Sequence, residues 1–340
     1  KTEVTQDSLP YVIAEIGHNH QGSVEKCKEL FRKAKFSGAN AVKLQKRDNK
    51  KLYTQKFFNS EYNSENSYGK TYGEHREKLE FGESEYKELF DYAKELGISM
   101  FATPFDLTSL DFLEKLNCPF YKVASSDITF TQLIRKIADT GKPVIISTGY
   151  ASFEDMDRVL NTVDFKNNVA FLQCTSSYPA NQKEINLNVI PEMIKRYPKN
   201  IIGYSGHDSG IIVSVLAYLL GARIVEKHFT LGRSLKGTDH AMSLEPEGLS
   251  KMCNGFKKAK DSLGVNLKKK MDYEKKFITK MKKSIVAKTD LAKDHPLALE
   301  NLDFKSPGVG LDPFEADKLI GKKLKRNLKK DDYIMFEDLI

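Results

Sequence analysis

Residues Ile201–Thr230 read IIGYSGHDSGIIVSVLAYLLGARIVEKHFT. Two short apolar runs, Ile201–Tyr204 and Arg223–Glu226, flank a ten-residue apolar stretch, Ile211–Leu220, that only Ser214 interrupts. Near-continuous apolar runs fit strands covered on both faces, as in a parallel sheet. The stretch between them is half a membrane span in length, so it reads as a helix within the fold. The same alternation recurs outward from this unit. Further strands are predicted at Tyr11–Ile16, Ala41–Leu44, Ser99–Thr103, Phe120–Ala124, Val144–Ser147 and Val169–Cys174, making eight in all. The intervals are amphipathic: Glu25–Phe36 sets Cys27, Leu30, Phe31 and Ala34 on one stripe, and Glu85–Leu96 does so with Leu89, Phe90 and Ala93. Alternating strands and helices mean an α/β parallel sheet. Eight such units ending near Gly264 predict a closed (β/α)8 TIM barrel over an open doubly wound sheet.

One interval is anomalous. More than fifty residues separate the second and third strands, and Arg47–Gly82 is rich in Asn, Ser, Tyr and charge. A long polar loop after a strand rises from the barrel face where active sites lie, so it is expected to be a lid. The barrel is assigned to residues 1–265. Residues 266–283 form a Lys-rich linker, and 284–340 a small, mostly β module that is marginal on its own.

A chain of 340 residues accommodates a barrel and a small module. Hydrophobic residues at 40% and charged residues at 29% exclude a disordered or fibrous chain. Four dispersed cysteines (Cys27, Cys118, Cys174, Cys253), with no CxxC pair, argue against a disulfide scaffold or a zinc ribbon and fit a reducing, cytoplasmic setting. No apolar run is long enough to span a membrane. The net charge is +8, but Lys268–Lys283 alone carries eight lysines against Asp272 and Glu274. That concentration reads as a solvated segment, not a nucleic-acid-binding face.

Polar residues crowd at the predicted strand ends. They include Glu15, His18, Asn19 and His20, then Lys43, Gln45 and Lys46, then Thr103 and Phe105, then Lys122, Ser125, Ser126 and Asp127. Ser147 and Thr148 follow, then Cys174, Thr175, Ser176 and Tyr178, then Ser205, His207 and Asp208, and last Glu226, Lys227, His228 and Thr230. Lysines in buried strands need negative partners. Either Lys43 and Lys122 pair with Glu15 and Asp127, or with Ser125, Ser147 and Ser205 they hold a phosphate or carboxylate dianion, the reading favoured here. His207 and His228 end neighbouring strands and are candidate ligands of a divalent ion, with His18 and His20 as competitors.

The stretches YVIAEIGHNHQG (11–22), AVKLQ (41–45), FATPFD (101–106), YKVASSD (121–127), IISTG (145–149), QCTSSYP (173–179), IGYSGHD (202–208) and VEKHFT (225–230), with SIVAKTDL, KSPGVG and LIGKKLKR near the C-terminus, resemble the sialic acid synthase family. Its members are phosphoenolpyruvate-dependent nonulosonate synthases with a TIM barrel and a C-terminal antifreeze-like SAF domain. The resemblance implies condensation of phosphoenolpyruvate with the aldehyde of an N-acylated hexosamine, giving a nine-carbon 2-keto acid and phosphate. It implies a divalent metal, usually manganese with magnesium and cobalt as alternatives, on His207 and His228. Glu15 is implied to orient or deprotonate water, with Asp127 and His228 as further catalytic groups. Lys43, Thr103, Lys122, Ser125 and Ser205 match positions around phosphoenolpyruvate, with Ser147 nearby, and Gln45, Asp127, Tyr178 and Asp239 match positions around the sugar, with Phe105 and Ser176 at the same mouth. It also implies a domain-swapped homodimer.

The chain departs from that pattern at Ser176, Asp127 and Gly206, where members often carry Asn, Glu and Asp. It also reads Lys305–Ser306–Pro307–Gly308 where many bacterial members have an arginine that reaches the partner's active site. Competing readings are a Schiff-base aldolase on Lys43 or Lys122, a 3-deoxy-keto-acid synthase, and a non-catalytic basic binder in which Met271, Phe277, Ile278 and Met281 line a membrane-facing helix.

Overall fold

The computed structural model describes residues 4–165 and 169–340. The chain divides into two compact units, Lys1–Gly264 and Val265–Ile340. In the first, eight parallel strands close into a barrel: β1 (Tyr11–Gly17), β2 (Ala41–Lys46), β3 (Ser99–Pro104), β4 (Tyr121–Val123), β5 (Val144–Ser147), β6 (Val169–Cys174), β7 (Ile201–Gly206) and β8 (Ile224–His228). β8 pairs back onto β1 to complete the ring. Because the strands are buried on both faces, apolar residues fill them, and their outward side chains pack under the helices.

Helix Val24–Phe36 buries the predicted Cys27, Leu30, Phe31 and Ala34, and Ser23 caps it by accepting from the Lys26 amide. Helix Glu83–Leu96 buries Tyr86, Leu89 and Ala93 and stops at Gly97, whose φ of 64° is a left-handed C-cap. Phe90 on that helix is only half-buried.

Residues 47–82, expected as a long polar loop, carry secondary structure of their own. They hold three short helices, Asn49–Leu52, Gln55–Phe58 and Tyr72–Glu77, the last opened by a Thr71–Glu74 capping box. Tyr53, Phe57, Tyr62, Tyr72 and His75 cluster edge to face and tilted between them. Aromatic packing supplies the core that an Asn- and Ser-rich composition concealed.

The second unit begins within the lysine-rich stretch, where Asp272–Met281 is helical and leaves Tyr273, Phe277, Ile278 and Met281 exposed. Beyond it, β9 (Ser284–Ala287) and β10 (Leu302–Lys305) form an antiparallel pair. Ile285, Leu291, Leu297, Leu302, Leu319, Leu324, Leu328 and Ile334 build a separate small core. Among the described residues no helix is long and apolar enough to cross a membrane.

Candidate active site

Parallel register and the two-residue repeat of a strand decide which side chains meet inside the barrel. Glu15 on β1 lies opposite Lys43 on β2 and His228 on β8, Gln45 lies opposite Thr103, and Ser205 lies opposite Glu226. Residues two apart, such as Lys43 and Gln45 or Glu226 and His228, therefore share the inner face. They line a cavity of about 960 Å³, together with Thr103, Phe105, Lys122, Ser125, Ser147, Ser176, Tyr178, Ser205, His207 and Asp239.

The alternate residues face away. Lys227 is fully buried on the outside of β8, where it donates to the Asp208 carbonyl at 2.5 Å and pairs with the Asp208 carboxylate at 3.0 Å. Lys46 pairs with Glu80 at 3.0 Å. Lys46, Thr148, Thr175, Asp208 and Lys227, expected at the mouth from their place at strand ends, are absent from the lining for this reason. Thr230 is absent from the lining for another, since β8 ends at His228 and its hydroxyl is engaged by His240 Nδ1 at 2.7 Å. Asp127 is also outside it, on the short 3-10 turn Ser125–Asp127 that follows β4. Burial pushes its carboxyl up to about 6, and its Oδ2 has no hydrogen-bond partner among the described residues. The Lys122–Asp127 pair, the alternative to an anion site, does not form among the described residues.

Lys122 turns to Glu226 instead. Glu226 Oε1 lies 3.8 Å from Lys122 Nζ, 3.6 Å from Lys43 Nζ and 3.3 Å from Ser205 Oγ. Lys43 also pairs with Glu15 at 2.7 Å and donates to Thr103 Oγ1 at 3.0 Å, while Lys122 donates to Ser147 Oγ at 2.6 Å. Two buried lysines are thus matched by two buried glutamates. The carboxylates differ in environment. Burial raises the pKa of Glu15 more than Lys43 lowers it, and the Glu226 charge adds to the rise. Burial also acts upward on Glu226, but Lys122 and Lys43 outweigh it and hold its pKa below the ordinary value. The two environments thus differ, that of Glu15 favouring the proton and that of Glu226 the charge. Glu226 was expected only as one of the strand-end polar residues, because its strand position reads equally well as a lysine's structural partner.

His207 and His228 stand with ring centroids 5.5 Å apart. Burial lowers both pKa values, that of His207 to about 4 with His228 adding to the effect, so both rings are neutral at pH 7. His207 Nδ1 donates to the Thr175 carbonyl at 2.8 Å, which leaves the Nε2 lone pair available. Among the described residues His228 Nδ1 is buried with no hydrogen-bond partner, 3.7 Å from Asp239 Oδ2. Two neutral imidazoles, one with an orphaned nitrogen, fit a divalent cation whose other positions are open to water and substrate. Among the described residues no three His, Cys, Asp or Glu side chains gather as a closed metal cage. His20 is no competitor: it stacks on Phe81 with centroids 4.2 Å apart.

Two cationic residues that the sequence reading passed over also line the cavity, Arg47 and Arg76, with His18 between them. Both belong to the 47–82 excursion, so no strand periodicity pointed to them.

A NeuB family model matches residues 30–268, and a SAF domain model matches residues 282–340. The chain is 40% identical to N-acetylneuraminate-9-phosphate synthase of Mus musculus, over 97% of this chain and 92% of the mouse protein. It is 35% identical to N,N'-diacetyllegionaminic acid synthase of Campylobacter jejuni, over 95% and 98% of the two chains. The crystal structure of N-acetylneuraminic acid (sialic acid) synthetase from Leptospira borgpetersenii superposes with a TM-score of 0.71 at 30% identity, covering 82% of this chain and 93% of that one. A closed barrel with this cluster at its mouth is the site of a carbon–carbon bond-forming synthase. The chain belongs to the NeuB family of sialic acid synthases and carries a SAF domain after its barrel.

Proposed function

We propose that the cavity condenses phosphoenolpyruvate with the open-chain aldehyde of an N-acylated hexosamine, giving a nine-carbon 2-keto sugar acid and inorganic phosphate. The observation that carries this reading is the pair of buried lysines ringed by Thr103, Ser125, Ser147 and Ser205 beside two neutral histidines. Lysines and hydroxyls suit the enol phosphate and its carboxylate. The Gly149 amide donates to Ser125 Oγ at 2.9 Å, orienting that hydroxyl. Gln45, which donates to Glu15 at 2.7 Å, faces the sugar side with Tyr178 and Asp239.

C3 of the enol bonds to the aldehyde carbon while the aldehyde oxygen takes up a proton and becomes a hydroxyl. Water then adds to C2, giving up a proton towards Glu15, and the C2–O bond to phosphate breaks as the ketone forms. A divalent ion, manganese in this reading, held by His207 and His228 would supply Lewis acidity at the aldehyde oxygen. Holding both reactants side by side supplies much of the rate in such a bimolecular reaction.

In the SAF unit, Lys305 pairs with Asp331 at 2.5 Å and Asp303 at 3.4 Å, so it is engaged locally at the position where many members carry an arginine. We take the active form to be a homodimer, which sedimentation tests, and a stable monomer with full activity would reject it. We place the chain in the cytoplasm, in keeping with its four free cysteines.

The synthase reading is tested with phosphoenolpyruvate, manganese and a panel of aldoses, measuring phosphate release and product mass. Expected is metal-dependent release with an N-acylated hexosamine and a product heavier by a pyruvate unit. No release with any such sugar would reject it.

A further inference from the structure

His207 and His228 stand at the ends of neighbouring strands, but the sheet holds them unequally. His228 is the last residue of β8 and is tied on both sides. The Phe229 amide donates to the Glu15 carbonyl at 2.8 Å, and the Leu244 amide donates to the His228 carbonyl at 2.8 Å. β7 stops at Gly206, whose partner on β8 is Lys227, so His207 lies one residue beyond the ladder. Its ring is oriented by the Thr175 carbonyl, and its own carbonyl accepts from the Ala180 amide at 3.0 Å. Both contacts come from the loop after β6, and neither ties His207 to β8.

The link to β8 is made on the outer face of the barrel. Alternation continues past the end of β7: Ser205 and His207 line the cavity, whereas Tyr204, Gly206 and Asp208 do not. Asp208 Oδ1 accepts from the Tyr204 hydroxyl at 2.7 Å and from Lys227 Nζ at 3.0 Å. The same ammonium donates to the Asp208 main-chain carbonyl at 2.5 Å. Asp208 follows His207 and Lys227 precedes His228, so one ion pair joins the neighbour of each histidine. Gly206 leaves the room for it. A Cβ there would lie 2.6 Å from Asp208 Oδ1 and 2.6 Å from Tyr204 Cε1.

Stability is a poor account of this pair. The side chains of Lys227 and Asp208 are 0% and 1% exposed, and Asp208 Oδ2 has no hydrogen-bond partner among the described residues. Apolar residues of similar volume often replace a buried ion pair without loss, because desolvating two charges offsets their attraction. Apolar packing does not supply a directional bond to the main chain beside His207, and such contacts orient the ligands of a metal.

We propose that Lys227, Asp208 and Tyr204 act as a positioning clasp that fixes His207 against His228 and so sets how tightly the site holds its divalent ion. The three touch neither the ion nor the substrates. The clasp rests on the reading of the two histidines as ligands and deepens it.

The test measures manganese binding to the full chain by calorimetry, with urea unfolding beside it. Lys227→Met combined with Asp208→Leu replaces the pair by apolar side chains, and its unfolding midpoint should stay near that of the parent. Its manganese dissociation constant should rise about tenfold or more, the scale of losing an outer contact that orients a metal ligand. Asp208→Asn keeps the main-chain carbonyl and a neutral acceptor, so its dissociation constant should rise by less, about threefold. That variant decides the matter if the double variant does not fold. Parental manganese affinity in the folded variants, or a loss that only follows a loss of stability, would overturn the clasp. His207→Ala separates this outcome from a failure of the metal reading, because it should abolish manganese binding whatever the clasp does. Unchanged binding in His207→Ala would remove the ion from the histidines, and the clasp would fall with it.

Discussion

Lys43 and Lys122, on the strands, sit among carboxylates, whereas Arg47 and Arg76, brought in by the excursion after β2, sit among rings, an amide and a phenol. Both pairs line one cavity. The lysine end sets its cations against carboxylates, so in the proposed reaction it suits groups that must be positioned and moved through proton transfer. At the arginine end no carboxylate lies within ion-pair distance of either guanidinium among the described residues, so it is the more cationic end of the cavity. Charge balance in a shared cavity thus separates its two ends more clearly than residue type does.

The sharpest way to break this contrast is to remove one cation from each end. Lys43→Met strands Glu15 and Glu226 in a buried site, and breaking a buried pair in that way costs about 3–5 kcal/mol. Phosphate release should fall about 10³-fold as well, as when a charge-stabilising donor is removed from a water-excluded site. Arg47→Met is comparably buried but strands no carboxylate, and it should cost less than about 2 kcal/mol. Urea unfolding of the two variants checks this. Equal losses would mean that Arg47 has an anionic partner after all, and the distinction between the ends would be lost.

A smaller effect sharpens the description of the reacting end. A Cβ at Gly149 would lie 2.3 Å from Ser176 Oγ and 2.8 Å from Ser125 Oγ, closer than atoms tolerate. Gly149→Ala should push both hydroxyls aside and cut kcat/KM for phosphoenolpyruvate about 10²-fold, the scale of an ångström-sized misplacement. Heat stability should change little, because serine side chains at a cavity wall have room to move. Unchanged kinetics would show that Ser125 and Ser176 do not touch the reacting groups.

How far these ends were legible beforehand follows from what periodicity can carry. A strand repeats every two residues, so Glu15, Lys43, Gln45, Ser205, His207 and His228 were visible once eight strands were recognised. The same repeat, applied strictly, would have sent Lys46 and Lys227 to the outside. Naming every polar residue at a strand end obscured that. Asp127 was misplaced because β4 stops at Val123 and the chain then turns, so alternation no longer holds at that point. Arg47 and Arg76 were out of reach for a deeper reason. They meet through His18 across 29 and 58 residues of sequence, inside an excursion whose aromatic core no local pattern announced.

The smallest expected effect concerns the histidine beneath the arginine end. His20 is 2% exposed, stacks on Phe81, and has its pKa lowered to about 3, chiefly by burial and then by His18. In the unfolded chain it titrates near its ordinary value of about 6.5. Between those two values the unfolded state holds a proton that the folded state lacks, so stability falls as pH drops below about 6.5. Each pH unit in that window removes about 1.4 kcal/mol on account of this one ring. His20→Phe keeps the aromatic stack and removes the titration, so its stability should vary less steeply between pH 6 and pH 4 by roughly one proton's worth of slope. The carboxylates of the lysine end titrate in both proteins alike, and the difference between the two curves isolates the ring. An unchanged slope would mean that His20 is protonated in the folded chain, which would set a third cation beside Arg47 and Arg76.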